Sequence, residues 1–134
     1  MDEAQISHSF PKPRQGEIWF VKLPTDPPDK LLRPVVIISL DARNQNDRAL
    51  TVMVAPLSTT LKEPVPRMHI RLSPGETGLQ EESELQGGGI TTIDKRYLRP
   101  PRQKLRQLSR SRIRQIARCV VLAMGVLPSE IAQE

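Results

Sequence analysis

Short apolar runs closed by proline, glycine or polar loops fill most of the chain, and a helical period replaces them near its end. Residues 16–23 (GEIWFVKL) are rich in aromatic and β-branched side chains and predict a first strand. Arg33 opens a second run, 34–38, apolar on both faces as a central strand is. A third run, 50–57, ends at Ser58. In a fourth, 67–72, Met68, Ile70 and Leu72 alternate with Arg67, His69 and Arg71, the pattern of a half-buried strand with a basic outer face. A strand starting near Ser83 is interrupted by Gly87, Gly88 and Gly89; residues 90–93 form a short final strand or its continuation past a bulge. Then Ile113, Ile116, Ala117, Val120, Val121 and Met124 recur at the spacing of an amphipathic helix, with Ser109 as N-cap and Gly125 as the C′ stop. Arg110, Arg114 and Arg118 form its exposed stripe. The expected fold class is α+β and mainly β: a small, strongly bent sheet of about five strands with one C-terminal helix.

The polar stretch 41–48 (DARNQNDR) between the second and third runs suits a hairpin loop. If those runs pair antiparallel across it, the midpoint of positions 33 and 58 falls at Gln45–Asn46, inside the loop. Arg33 then meets Ser58 at one rim of the sheet. A guanidinium and a hydroxyl brought together there suit phosphate chemistry.

Composition narrows the function classes. The chain has 134 residues, a formal charge of +5 and only 3% aromatic residues, which argues against a single-strand binder built on stacking. Residues 95–118 hold ten of the twenty Lys and Arg and no acid, which favours an anionic partner, nucleic acid or an acidic protein segment. Arg110 and Arg112 fall in the helix's first turn, where the dipole disfavours cations until an anion or acidic partner relieves it. The single Cys119 excludes a disulfide framework and a cysteine-based zinc site, and is read as a small core or interface residue. No signal peptide and no apolar stretch of membrane-spanning length are present, so the expectation is a cytoplasmic protein without membrane association. Residues 1–14 read as a flexible arm, 15–125 as one domain and 126–134 as a tail.

The order of GEIW at 16–19, RPVVII at 33–38, APLS at 55–58, TIDK at 92–95 and a closing amphipathic helix resembles the MazF/PemK family of toxin endoribonucleases. The resemblance spans about residues 15–125. It implies an SH3-like barrel with a helix packed on it, a homodimer, and metal-free cleavage of single-stranded RNA, without cofactor, to a 2′,3′-cyclic phosphate and a 5′-hydroxyl. It also implies a cognate antitoxin whose acidic, extended tail blocks the RNA groove.

In that reaction the RNA's own 2′-hydroxyl is the nucleophile, so the enzyme needs an acid, a base and positive charge at the phosphorane. Arg33 fits the charge role, because a guanidinium binds two phosphate oxygens and keeps its proton. Ser58 matches the family's hydroxyl residue at the strand corner. Thr59 and Thr60 extend the hydroxyl cluster; His69, Asn46 and Gln86 are expected substrate contacts, and no general base stands out. Taken alone, Arg33 is a pre-proline surface cation, Ser58 and Asn46 are turn residues, and His69 is a solvated strand histidine. His8 falls in the arm. Where many relatives carry an acid, Gln and Arg, this chain has Gly88, Gly89 and Thr91. That departure supports an alternative, a non-catalytic or weakened superfamily member acting by binding, either to a gyrase-type target or in an antitoxin and operator complex. A third reading is a small SH3-like RNA-binding module, against which the scarcity of aromatics counts.

Overall fold

The computed structural model describes residues 10–131. Residues 1–9, with His8 and most of the expected arm, and 132–134 of the tail lie outside the described residues. Six strands form one antiparallel sheet: β1 (Ile18–Val21), β2 (Arg33–Ile37), β3 (Thr51–Ser58), β4 (His69–Leu72), β5 (Ser83–Gln86) and β6 (Thr91–Asp94). Their order is β1-β2-β3-β5-β4, with β6 also on β3. The class is the α+β, mainly β one expected. The sheet has six strands rather than about five, and it stays open instead of closing into a barrel.

β3 organises the sheet. Its first half pairs with β6, from Thr51↔Asp94 to Val54↔Thr91, and its end pairs with β5 at Leu57↔Leu85 and Ser58↔Glu84. Along its other edge β2 runs in the register Val35↔Pro56, Val36↔Ala55 and Ile37↔Val54. Side chains alternate across the pleat, so β3 feeds two cores. Val52 and Val54 join Trp19, Val21, Val35 and Ile37 on one face; Ala55 and Leu57 join Ile18, Val36, Leu72 and Leu85 on the other. The second core is covered by α3 (Arg110–Ala123) through Ile116, with Ile113 and Val120 packed at its margin.

The caps of α3 are those the sequence predicts. Ser109 Oγ accepts from Arg112 N at 3.2 Å. Gly125, at φ +79, donates to Leu122 O while Val126 donates to Val121 O, a Schellman stop. Two residues of the expected buried face, Ala117 and Met124, are exposed; Cys119, the small core residue expected, is buried beside Ile116. The helix turns this face inward because the glycine run meets it there. A Cβ on Gly87 would stand 2.6 Å from Met68 O and 2.8 Å from Cys119 Cβ, and one on Gly89 would stand 2.9 Å from Pro56 Cγ. Gly88 has ordinary room.

The hairpin loop contains one helical turn, α1 (Asp41–Asn44), closed by the buried Asn44, which exchanges hydrogen bonds with Ser39 at 2.6 and 2.8 Å. Buried Lys95 donates to Arg43 O and Asn46 O, both at 2.9 Å, and burial lowers its pKa. The described part of the expected arm, 10–14, is tied to this loop: Gln45 Nε2 donates to Lys12 O and Pro13 O, and Lys12 pairs with Asp47. α2 (Pro74–Thr77) carries a capping box, and its Glu76 receives both Arg112 Nε and Nη2, at 2.7 and 3.1 Å. An internal carboxylate therefore offsets the cation in the first turn of α3. A last turn, α4 (Pro128–Ile131), lies within the expected tail.

Gly87→Ala is expected to destabilise the fold by about 1–3 kcal/mol through overpacking against α3, while Gly88→Ala changes it by less than about 1 kcal/mol. Urea denaturation of the two variants beside wild type checks the contrast. Arg112 holds the Glu76 carboxyl down at about 2, so the stability it contributes is present above the ordinary carboxylate range and lost as pH falls from about 4.5 toward 2. Glu76→Gln should flatten that part of the stability–pH curve.

Candidate functional site

The ladder of β2 and β3 has the register that the hairpin midpoint predicts. Continued two residues past Val35↔Pro56, it sets Arg33 opposite Ser58. Ser58 in turn faces Glu84 on β5, and Glu84 faces Arg71 on β4. Arg33, Ser58, Glu84 and Arg71 thus form one polar row across four strands, about 14 Å from end to end at the usual strand spacing. The row stands on the Val52–Val54 face, where the apolar core stops.

A cavity of about 170 Å³ opens at the Arg33 end, lined by Arg33, Ser58, Thr59 and Thr60 together with Lys30 and Ser83. Sites for drug-sized ligands usually span roughly 300–1,000 Å³; this one suits a single phosphate group. Ser58 Oγ accepts from Thr60 N at 3.1 Å, which fixes the turn and leaves its hydroxyl proton to donate. Thr59 and Thr60 are exposed. Arg33 is largely withdrawn from solvent, and its Nη2 lies 3.0 Å from Asp26 Oδ1.

The other end of the row is built around Glu84, a carboxylate with no solvent exposure. It accepts from Lys62 N at 3.1 Å and from His69 Nδ1 at 2.7 Å, with Arg71 Nε at 3.6 Å. Burial pushes the Glu84 pKa up, but His69, the Lys62 N–H and Arg71 outweigh it and the net shift is downward. Arg71 also holds Lys62 O at 2.6 Å and Glu63 at 2.5 Å, which draws the segment after Ser58 back over the row. His69 also lines a groove of about 380 Å³ together with Arg67, Arg112 and Arg118.

Of the expected site residues, Arg33, Ser58, Thr59 and Thr60 share one cavity. His69 and Gln86 face each other one row further along β4 and β5. Asn46 stands apart: it lies in the hairpin loop, at the opposite end of β3 and roughly 20 Å away along the strand. Its Oδ1 accepts from Arg48 N at 2.9 Å, as a turn residue does. Asp26 and Lys30 are the members that sequence reasoning missed, and Glu84 went unplaced. For Glu84 a signal existed, an acid at an alternating position opposite the basic face of β4. For Asp26 there was none beyond its place in a proline-rich loop.

The basic block is partly consumed by structure. Lys95 and Arg112 are paired as described, Arg96 holds Asp94, and Arg99 and Arg106 donate to backbone carbonyls. Arg102, Lys104, Arg114 and Arg118 remain exposed.

The family model for PemK-like, MazF-like toxins of type II toxin–antitoxin systems matches residues 14–124. The chain belongs to this family. No curated protein matched the sequence. Among solved structures, an endoribonuclease from a Mycobacterial species is 21% identical, covers 90% of this chain and 97% of its own, and superposes with a TM-score of 0.66. The Mycobacterium tuberculosis toxin MazF-mt6 is 22% identical over 81% of this chain and 96% of its own, with a TM-score of 0.62. MazF in the MazE–MazF complex from Deinococcus radiodurans is 14% identical over 87% and 99%, with a TM-score of 0.65. At these identities the neighbours establish the family's fold for this chain.

Because Glu84 is buried and its pKa lowered, its contribution to stability is present above the ordinary carboxylate range and lost as pH falls through its folded pKa. Glu84→Gln should cost about 3 kcal/mol at neutral pH, since it breaks a buried pair. It should also flatten the acid limb; thermal melts across pH check both.

Proposed function

We propose that this toxin is a metal-independent endoribonuclease that cleaves single-stranded RNA, including mRNA, by attack of the 2′-hydroxyl on the adjacent phosphorus. The O2′–P bond forms, the P–O5′ bond breaks, and a 2′,3′-cyclic phosphate and a 5′-hydroxyl result. The observation that carries this reading is the joint exposure of Arg33 and Ser58 on one phosphate-sized cavity, in a chain of a toxin family whose solved relatives include endoribonucleases. Arg33 offsets the charge that grows on the non-bridging oxygens, and the Ser58 hydroxyl donates to one of them. Thr59 and Thr60 hold the flanking backbone. His69 and Gln86 meet the strand on one side of the cut, and Asn46 serves only a longer stretch of RNA reaching past the hairpin loop.

An acidic antitoxin segment is the second partner, and the exposed Arg102, Lys104, Arg114 and Arg118 supply charge for it. A structurally similar endoribonuclease from a Mycobacterial species is found in complex with its cognate antitoxin. A homodimer accounts for Met124, Leu127 and Ile131, which are more than half exposed around the end of α3. The place of action is the cytoplasm; no described helix is long and apolar enough to cross a membrane. Packing gives a cause for Gly87 and Gly89 but none for Gly88, so the second reading, a toxin that acts by binding alone, keeps the departure at Gly88 and Thr91 as its support.

Cleavage of a varied single-stranded RNA in EDTA, with the fragment ends mapped, tests the proposal. Wild type should give discrete cuts with cyclic phosphate ends. Arg33→Ala should lose about 10²–10³-fold in rate and Ser58→Ala about 10–100-fold, both remaining folded. Intact RNA from folded wild type would contradict it.

A further inference from the structure

We propose that Asp26 is the positioning residue of this site: its carboxylate holds the Arg33 guanidinium over the cavity shared with Ser58. The assignment rests on the ribonuclease reading above. Asp26 Oδ1 lies 3.0 Å from Arg33 Nη2, and the two side chains are only 7% and 17% exposed. Arg33 has five N–H donors. The ion pair engages Nη2 and restrains the reach of the guanidinium, and the donors on its other nitrogens remain for a phosphate in the cavity.

The second Asp26 oxygen has no competing protein partner: Oδ2 is buried and has no hydrogen-bond partner among the described residues. Buried polar groups are usually hydrogen-bonded, and an unpaired one calls for a cause. Here one oxygen goes unanswered while the other is committed to Arg33, the arrangement of a group placed for its neighbour's sake.

The loop that carries Asp26 is built to hold still. Pro24, Pro27 and Pro28 fix their own backbone angles on either side of it. Lys22 Nζ donates to Pro27 O, Pro28 O and Lys30 O at 3.0, 2.6 and 3.2 Å, and Asp26 N donates to Leu23 O at 3.1 Å. Asp26 is thereby anchored to β1, and Arg33 opens the neighbouring β2. The ion pair closes a rigid triangle of strand, loop and strand around the guanidinium, the preorganisation that electrostatic stabilisation of a transition state requires.

Single-turnover cleavage by Asp26→Asn, in the wild-type and the Arg33→Ala backgrounds, tests the assignment. With Arg33 present, the substitution should lower the maximal rate by about 10²-fold, the usual effect of a small misplacement, with little change in the RNA concentration needed for half-maximal rate. With Arg33 already removed, it should cost nothing further, because Asp26 acts through Arg33. A purely structural role would move the melting temperature in both backgrounds and leave the maximal rate of the folded fraction unchanged. An unchanged rate in Asp26→Asn, or an equal loss in both backgrounds, overturns the assignment while leaving the ribonuclease reading intact. Wild type that cleaves nothing overturns both. Should the amide variant not fold, Asp26→Glu moves the charge by one methylene, and a wild-type rate from it overturns the assignment equally.

Discussion

β3 is bonded to three other strands, and that sharing is the constraint on which the molecule depends. β2 occupies one edge while β6 and β5 divide the other, so a shift of one residue in β3 would turn Val52, Val54, Ala55 and Leu57 to the wrong cores at once. Both faces of this strand are apolar until Ser58, where the cores end and polar side chains begin. The register that fills the two cores therefore also sets Ser58 between Arg33 and Glu84. Site and core are consequences of a single alignment.

At that rim the fold accepts a local cost. Glu84 is fully buried, Asp26 nearly so, and each is committed to a cation. Glu84 recovers more than burial takes, through His69, the Lys62 N–H and Arg71. Asp26 recovers less, since one oxygen stays unanswered, at a cost of about 1–3 kcal/mol. Arg71 Nε is a second buried group without a hydrogen bond, near two carboxylates but too far for one. These exceptions gather on the loop and strands around the polar row, while the apolar half of the sheet is conventional. Asp26 stands at the Arg33 end of that row and Arg71 at the other, so the two unanswered groups bracket it.

What could be read from sequence depended on whether a signal was local. Strand runs, the β2–β3 register, the Ser109 cap and the Gly125 stop each follow from a few neighbouring residues, and each appears in the structure. The exposure of Ala117 and Met124 did not follow, because the helix's rotation is set where Gly87 meets Cys119, a long-range contact. The basic block misled in part: Lys95 and Arg112 look like surface charge in one dimension but serve the Asn46 carbonyl and Glu76. Asp26 was invisible for the same reason. Only the folded proline loop brings it to Arg33.

The most direct measurement is a crystal structure with a short RNA whose scissile nucleotide carries 2′-deoxyribose, which removes the nucleophile and keeps the phosphate. The scissile phosphate should lie between the Arg33 guanidinium and the Ser58 hydroxyl, each within hydrogen-bonding distance, with Asp26 still on Arg33. A phosphate seated elsewhere, such as the groove beside His69 and Arg118, with the Arg33 cavity empty, would contradict the account.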